Sequence, residues 1–138
     1  MTLCKVCSRL KNNLSELETL SRDVDRFGRC HGLSEKSLFE INVALEELFT
    51  NIVSYGYPDN AEDWISVTLS LENGTLIMCI EDEGIPFNPA EADSPGLECS
   101  LEDRQIGRLG IFLAKHFVDE IAYQRCGDRN VVVMKKNL

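Results

Sequence analysis

Ile65-Ser66-Val67-Thr68-Leu69-Ser70-Leu71-Glu72-Asn73-Gly74-Thr75-Leu76-Ile77-Met78-Cys79-Ile80 carries the clearest structural signal in the chain. From Ile65 to Leu71 apolar and polar residues alternate strictly, the period of a half-buried strand. Asn73-Gly74 marks a tight hairpin turn, because both residues accept positive φ. Thr75 to Ile80 is then the returning strand, with apolar residues on both of its faces.

Upstream of the hairpin the period changes to that of helices. Ser15-Glu16-Leu17-Glu18 matches a capping box. Leu14, Leu17, Val24 and Phe27 then recur at helical spacing, which predicts a helix near 14–30 ended by His31-Gly32. Ser34 suits the N-cap of a second helix, with Leu33 and Leu38 at its staple positions. Leu38, Ile41, Leu45, Leu48, Phe49 and Ile52 form one apolar face through about Tyr55, and Gly56 and Pro58 stop the helix. Residues 3–8 suit a short first strand.

Downstream lies a long segment, 83–106, punctuated by Gly84, Pro86, Pro89, Pro95 and Gly96. It carries Glu91, Asp93, Glu98, Glu102 and Asp103. A loop this long inside a compact domain is usually functional or disordered. Ile111, Phe112, Ala114, Lys115 and Val118 suit a third helix starting near Gly107. Glu120 to Arg125 and Asn130 to Lys135 read as a last hairpin around Gly127-Asp128. The order β, α, α, β, β, loop, α, β, β predicts one α+β domain over 1–138. Its expected form is a two-layer sandwich, a mixed sheet with helices on one face.

Composition narrows the possible functions. The 138 residues are 43% hydrophobic and 27% charged, as in a globular domain. The formal net charge of −9 argues against a surface that tracks nucleic-acid phosphates. A basic protein partner would be attracted instead. No stretch approaches the roughly 18 apolar residues of a membrane span, and no signal peptide is visible. A cytoplasmic location with reduced thiols is therefore expected for the six cysteines. Cys4 and Cys7 form one C-x-x-C but lack a second ligand pair at zinc-site spacing, so a cysteine-rich first strand is the simpler reading.

Three spots bear chemistry. Glu47 and Asn51 stand at i and i+4 on the second helix, so they share one face, one turn apart. Such a pair can set a proton acceptor beside a hard oxygen ligand, although it is also common as plain helix support. The second spot, Glu81-Asp82-Glu83-Gly84-Ile85-Pro86-Phe87-Asn88-Pro89, directly follows a strand. There an acid can accept from an exocyclic amine, and Gly84 lets the backbone approach a flat ring. The third is Gly107-Arg108-Leu109-Gly110 at a helix start, with Arg104 nearby. Free N–H groups and the positive end of the helix dipole favour a phosphate there. Its spacing matches neither a P-loop nor a dinucleotide fingerprint.

The order and intervals of the three spots resemble the nucleotide-binding fold shared by gyrase, Hsp90, histidine kinases and MutL. Glu47 to Asn51 resembles that superfamily's N box, Asp82-Glu83-Gly84 its first glycine box, and Gly107 to Gly110 its second. Asp-x-Gly-x-Pro-Phe-Asn-Pro resembles in particular the anti-sigma-factor serine/threonine kinases of the RsbW and SpoIIAB type. So do Asn51-Ile-Val-Ser-Tyr-Gly-Tyr and the tail from Gly110 to Val133.

The resemblance implies a Bergerat-type ATP-binding domain with a lid at about 88–106. It implies an ATP-dependent serine kinase and anti-sigma factor that phosphorylates a STAS-type anti-sigma-factor antagonist, binds a sigma factor and pairs as a homodimer. Asn51 would bind Mg²⁺ and Glu47 would act as general base. Asp82 would read the adenine amine and Gly84 would pack against the base. Arg104, Gly107, Arg108 and Gly110 would hold phosphates. Two departures stand out. Arg108 replaces a glycine of many relatives, and Arg129-Asn130-Val131 replaces a Gly-Thr-Thr-type element. They keep open a second reading, a nucleotide-dependent regulator-binding module without kinase activity.

Overall fold

The structure, a computed structural model, describes residues 4–86 and 114–138. The expected lid and the expected start of the third helix lie outside the described residues. The elements are β1 (Cys4–Lys11), a 3₁₀ turn (Leu14–Glu16), α1 (Leu17–Cys30), α2 (Glu35–Tyr55), β2 (Trp64–Glu72), β3 (Thr75–Asp82), β4 (Glu120–Cys126) and β5 (Arg129–Asn137). A helical turn at 114–117 precedes β4.

The five strands form one sheet in the order β1-β2-β3-β5-β4. Each pairing is antiparallel, so the expected mixed sheet is corrected to an antiparallel one. The reason lies in the connections. A single helix between two strands returns the chain for a parallel pairing. Here two helices separate β1 from β2 and reverse the chain once more. At the other edge, the β4–β5 hairpin turns back so that β5, not β4, lies against β3.

The turn between β2 and β3 behaves as its sequence demands. Asn73 and Gly74 adopt φ of 51° and 80°, the left-handed pair of a type I′ turn. That turn fixes the register, with Val67 opposite Ile80 and Leu69 opposite Met78. Met134 and Val132 of β5 continue the same rows. Against this face pack Ile41, Ala44, Leu45, Leu48 and Phe49 of α2 and Leu20, Val24 and Phe27 of α1, all buried. The two helices thus form the second layer.

Local signals at the helix starts differ in outcome. Ser34 caps α2 as expected, its Oγ accepting from Ser37 N at 3.1 Å. The first cap lies two residues before the expected box. Asn13 Oδ1 accepts from Ser15 N at 2.9 Å, and Glu16 Oε2 accepts from Lys11 N at 3.0 Å. Asparagine is as good an N-cap as serine, and β1 runs to Lys11, so the turn begins as soon as the strand ends. Leu14 consequently lies 46% exposed, and Leu20 takes its expected place in the core.

One polar tie holds the layers together at the end of the sheet remote from Asp82. Lys136 Nζ donates to Glu40 Oε2 of α2 at 2.7 Å and to the Phe117 carbonyl at 2.9 Å. Both charged side chains are largely buried, at 12% and 15% exposure. The second bond satisfies a carbonyl at the end of the 114–117 turn, where a cation is favoured. The Lys136 hydrogen bond, opposed by burial and aided by the lysine charge, holds the Glu40 carboxyl below its ordinary value. Its stabilisation is therefore full above that ordinary value and disappears as pH falls through the lowered one. Lys136→Met should destabilise the fold at neutral pH by about 2 kcal/mol, between the costs of exposed and fully buried pairs. Denaturant melts should show the penalty shrinking as the solution is acidified.

Candidate functional site

The alternation that buries Met78 and Ile80 continues to Asp82, the last residue of β3. Asp82 therefore faces the helical layer, 4% exposed, where its neighbours along the row are apolar. A carboxylate so placed needs donors. Asp82 Oδ1 accepts from Gly84 N at 2.8 Å and from Asn130 Nδ2 at 3.0 Å. Asn130 is its register partner on β5 and is itself 3% exposed. Burial pushes the Asp82 carboxyl above its ordinary value, and Asn130, Gly84 N–H and Arg125 pull it back down. Asp63 adds to the upward push.

Gly84 is required by the protein's own packing. A Cβ there would lie 2.6 Å from the Gly56 carbonyl oxygen and 2.9 Å from Asp82 Oδ1. Ile85 N donates to that same Gly56 oxygen at 2.9 Å. The loop after β3 is thereby sewn to the end of α2, and the backbone approach takes the room of a side chain. Behind it, Tyr57 is buried. Burial, followed by the charges of Asp82 and Asp63, raises that phenol to about 12, so it stays neutral.

From α2 come Glu47 and Asn51. Asn51 is 6% exposed, and its Nδ2 donates to the Glu47 carbonyl at 2.7 Å. That bond turns the carboxamide so that Oδ1 has no hydrogen-bond donor among the described residues. Asn51 shares a cleft with Leu48, Ile52, Tyr55, Gly56, Asp82, Ile85, Asn130 and Val132. The strand-end acid and the helical amide, 31 positions apart in the numbering, thus line one apolar-walled slot. Glu47, half-buried one turn earlier, carries no ion pair among the described residues. Its neighbour Glu46 points to the α1 side. Burial, then the charges of Glu47 and Asp25, raises the Glu46 carboxyl above its ordinary value.

An uncommitted amide oxygen at the mouth of a cleft is the kind of hard ligand that Mg²⁺ takes from a protein when a bound phosphate supplies the rest. Asn51 Oδ1 fits that requirement. Asp82 is already engaged by two N–H donors and suits a hydrogen-bond acceptor role better than a metal-ligand role.

A family model for the histidine kinase-like ATPase domain matches residues 10–136. The chain belongs to the histidine kinase-like ATPase domain family. Membership implies ATP binding. Among relatives, the serine/threonine-protein kinase BtrW of Bordetella bronchiseptica is 33% identical over 92 residues, 67% of this chain and 65% of that protein. An anti-sigma F factor of Bacillus thuringiensis is 33% identical over 87 residues, 62% of this chain and 59% of that protein. The matched stretches thus span less than two thirds of either relative. A crystal structure of the RsbU and RsbW domains of Rv1364c from Mycobacterium tuberculosis superposes with a TM-score of 0.71 at 16% identity. The match covers 97% of this chain and 32% of that one, and at such identity it speaks to the fold alone.

Within this histidine kinase-like ATPase domain, Asn51 and Asp82 line one cleft, Gly84 N–H holds Asp82 without lining that cleft, and Glu47 stands one helical turn from Asn51. Arg104, Gly107, Arg108 and Gly110 lie outside the described residues. Sequence reading missed Asn130, Arg125 and Tyr123. Tyr123 hydroxyl and Arg125 Nη1 donate to Asn130 Oδ1 at 2.7 and 3.1 Å, and Arg125 Nη1 also donates to the Gly84 carbonyl at 2.8 Å. The available signal was Asn130 itself, a polar residue in a valine run at a position that alternation makes inward-facing.

Asp82→Asn keeps an oxygen for the Gly84 and Asn130 donors and removes the buried charge. A carboxyl raised in the fold gives stability that is full below its ordinary value and is lost as pH rises through the raised one. The variant should therefore melt at or above the wild-type temperature at neutral pH, with the gap closing in acid. Its remaining amide edge presents a donor where an acceptor stood. Calorimetry should show ATP affinity falling at least about tenfold, the worth of a hydrogen bond to a charged group.

Proposed function

We propose that this domain is an ATP-dependent protein serine/threonine kinase and anti-sigma regulatory factor, which phosphorylates an anti-sigma-factor antagonist in a partner-switching system. The observation that carries the reading is the shared cleft of Asn51 and Asp82, with the carboxylate of Glu47 one turn away. The curated relatives, named as a serine/threonine-protein kinase and an anti-sigma factor, favour it further.

In this reading Asp82 accepts a hydrogen bond from the amine of the base, and Gly84 N–H holds the carboxylate in place. Asn51 Oδ1 contributes a ligand to Mg²⁺, which when bound offsets charge on the phosphates. Glu47 takes the proton from the acceptor hydroxyl as that oxygen bonds to the γ-phosphorus, while the bond to the β-phosphate oxygen breaks and ADP leaves. Positioning and electrostatics supply most of the acceleration, as in phosphoryl transfer generally. The phosphate contacts fall to Arg104, Gly107, Arg108 and Gly110, beneath a lid at about 88–106. A homodimer in the cytoplasm belongs to the same reading. The free thiols of Cys7, Cys30, Cys79 and Cys126 suit a reducing compartment. Among the described residues no helix is long and apolar enough to cross a membrane.

Arg108, in place of a phosphate-box glycine, favours a second reading: a module that grips its regulator in a nucleotide-dependent way without transferring phosphate. Incubation with γ-labelled ATP, Mg²⁺ and a STAS-type antagonist separates the two. Label should pass to a serine or threonine of the antagonist, and Glu47→Ala should slow transfer by about 10²–10⁴-fold while ATP still binds. ATP binding by the wild type with no label transferred would leave only the module.

A further inference from the structure

We infer that Asn130 is a specificity-determining positioning residue: an amide locked in one orientation that fixes which oxygen of Asp82 faces the base. The inference rests on the cleft binding a nucleotide, as proposed above, and assigns a role to a residue outside the three motifs.

The lock follows from donor and acceptor chemistry. An asparagine amide can usually flip, exchanging its oxygen and nitrogen, and neighbours decide which way it lies. Asn130 has neighbours of fixed character on both sides. Arg125 Nη1, 3.1 Å from one end, can only donate, so that end is the oxygen. The Ile85 carbonyl, 2.8 Å from the other end, can only accept, so that end is the nitrogen. A flip would set donor against donor and acceptor against acceptor around an Asn130 side chain that is itself 3% exposed, a costly arrangement. The Tyr123 hydroxyl, 2.7 Å from the oxygen, reinforces the same choice.

The consequence passes to Asp82. With its nitrogen held inward, Asn130 presents one N–H to Asp82 Oδ1 and another to the Ile85 carbonyl, at 3.0 and 2.8 Å. Oδ1 also receives Gly84 N–H. The carboxylate is thus gripped by Oδ1, and among the described residues Oδ2 has no hydrogen-bond donor. Both amide hydrogens of Asn130 are committed, and the Glu47 carbonyl takes one of the two on Asn51 Nδ2. At Asp82 the slot therefore offers an acceptor, with no free N–H of Asn130 beside it. A base edge bearing an amine is matched, and one bearing a carbonyl oxygen is opposed. The discrimination is carried by Asn130 as much as by Asp82, since an ungripped carboxylate could rotate and accept from a ring N–H instead.

The test compares ATP with inosine triphosphate, which carries oxygen in place of the amine, by calorimetry on the full chain. Wild-type protein should prefer ATP by about tenfold or more. In Asn130→Leu, of similar size but without donors, the ATP-to-inosine-triphosphate preference should fall towards unity. Asn130→Asp keeps the shape and replaces the donor by an acceptor. It should lose the same preference and provides the readout if the leucine variant does not fold. A purely structural role would weaken both nucleotides together, so an unchanged preference in a folded variant would overturn the inference. If wild type binds ATP but shows no preference, the inference also fails while nucleotide binding stands. If wild type binds neither nucleotide, the functional reading falls and takes the inference with it.

Discussion

The structure depends on one constraint: every side chain on the helix-facing rows of the sheet must be apolar or anchored by hydrogen bonds within the protein. From Leu76 through Met78 to Ile80 the first condition holds. At Asp82 and Asn130, facing each other across β3 and β5, the second takes over. The carboxylate is tolerable there because backbone, amide and guanidinium groups converge on it, and those groups are in place because the register of β3 against β5 brings them there. A one-residue slip of β3 would turn Asp82 to the opposite face and put Glu81 beneath the helices.

The same economy separates stability from function along the length of the sheet. At the end near Asn73-Gly74, Lys136 and Glu40 satisfy each other and close the layers. At the opposite end Asp82 remains ionisable at some cost in folding energy. Neighbouring acids on α2 show environment acting in a similar way. Glu46, turned towards α1 and Asp25, is pushed towards its neutral form. Glu47, about 100° round the helix, stands near the cleft. Perturbed groups gather at such sites because a partly satisfied charge can still bind something.

Much of this was legible in the sequence where the signals are local. The β2–β3 hairpin follows from alternation and two residues that accept positive φ. Helix α2 follows from Ser34, an apolar face and Gly56. The Glu47–Asn51 and Asp82–Gly84 motifs could be placed because each is short and tied to one element. Less legible were features set by contacts between distant parts of the chain. The first N-cap moved to Asn13 because β1 runs further than its composition indicated. The antiparallel sheet depends on two intervening helices acting together. Asn130 gains its meaning from Asp82, 48 positions away, and Lys136 from Glu40, 96 positions away. No local periodicity encodes such distances.

The place of β5 in the sheet bears on the order in which competence is acquired during synthesis. The β2–β3 ribbon closes over two residues and can form within microseconds. Gly84 N–H is a local partner of Asp82, but Asn130 arrives only with the C-terminal hairpin, which must add to the open edge of β3. A chain still threading out of the ribosome can therefore hold a formed β2–β3 ribbon and packed helices while its strand-end carboxylate has only the Gly84 N–H. Completion of the last ribbon is the event that brings Asn130 to Asp82.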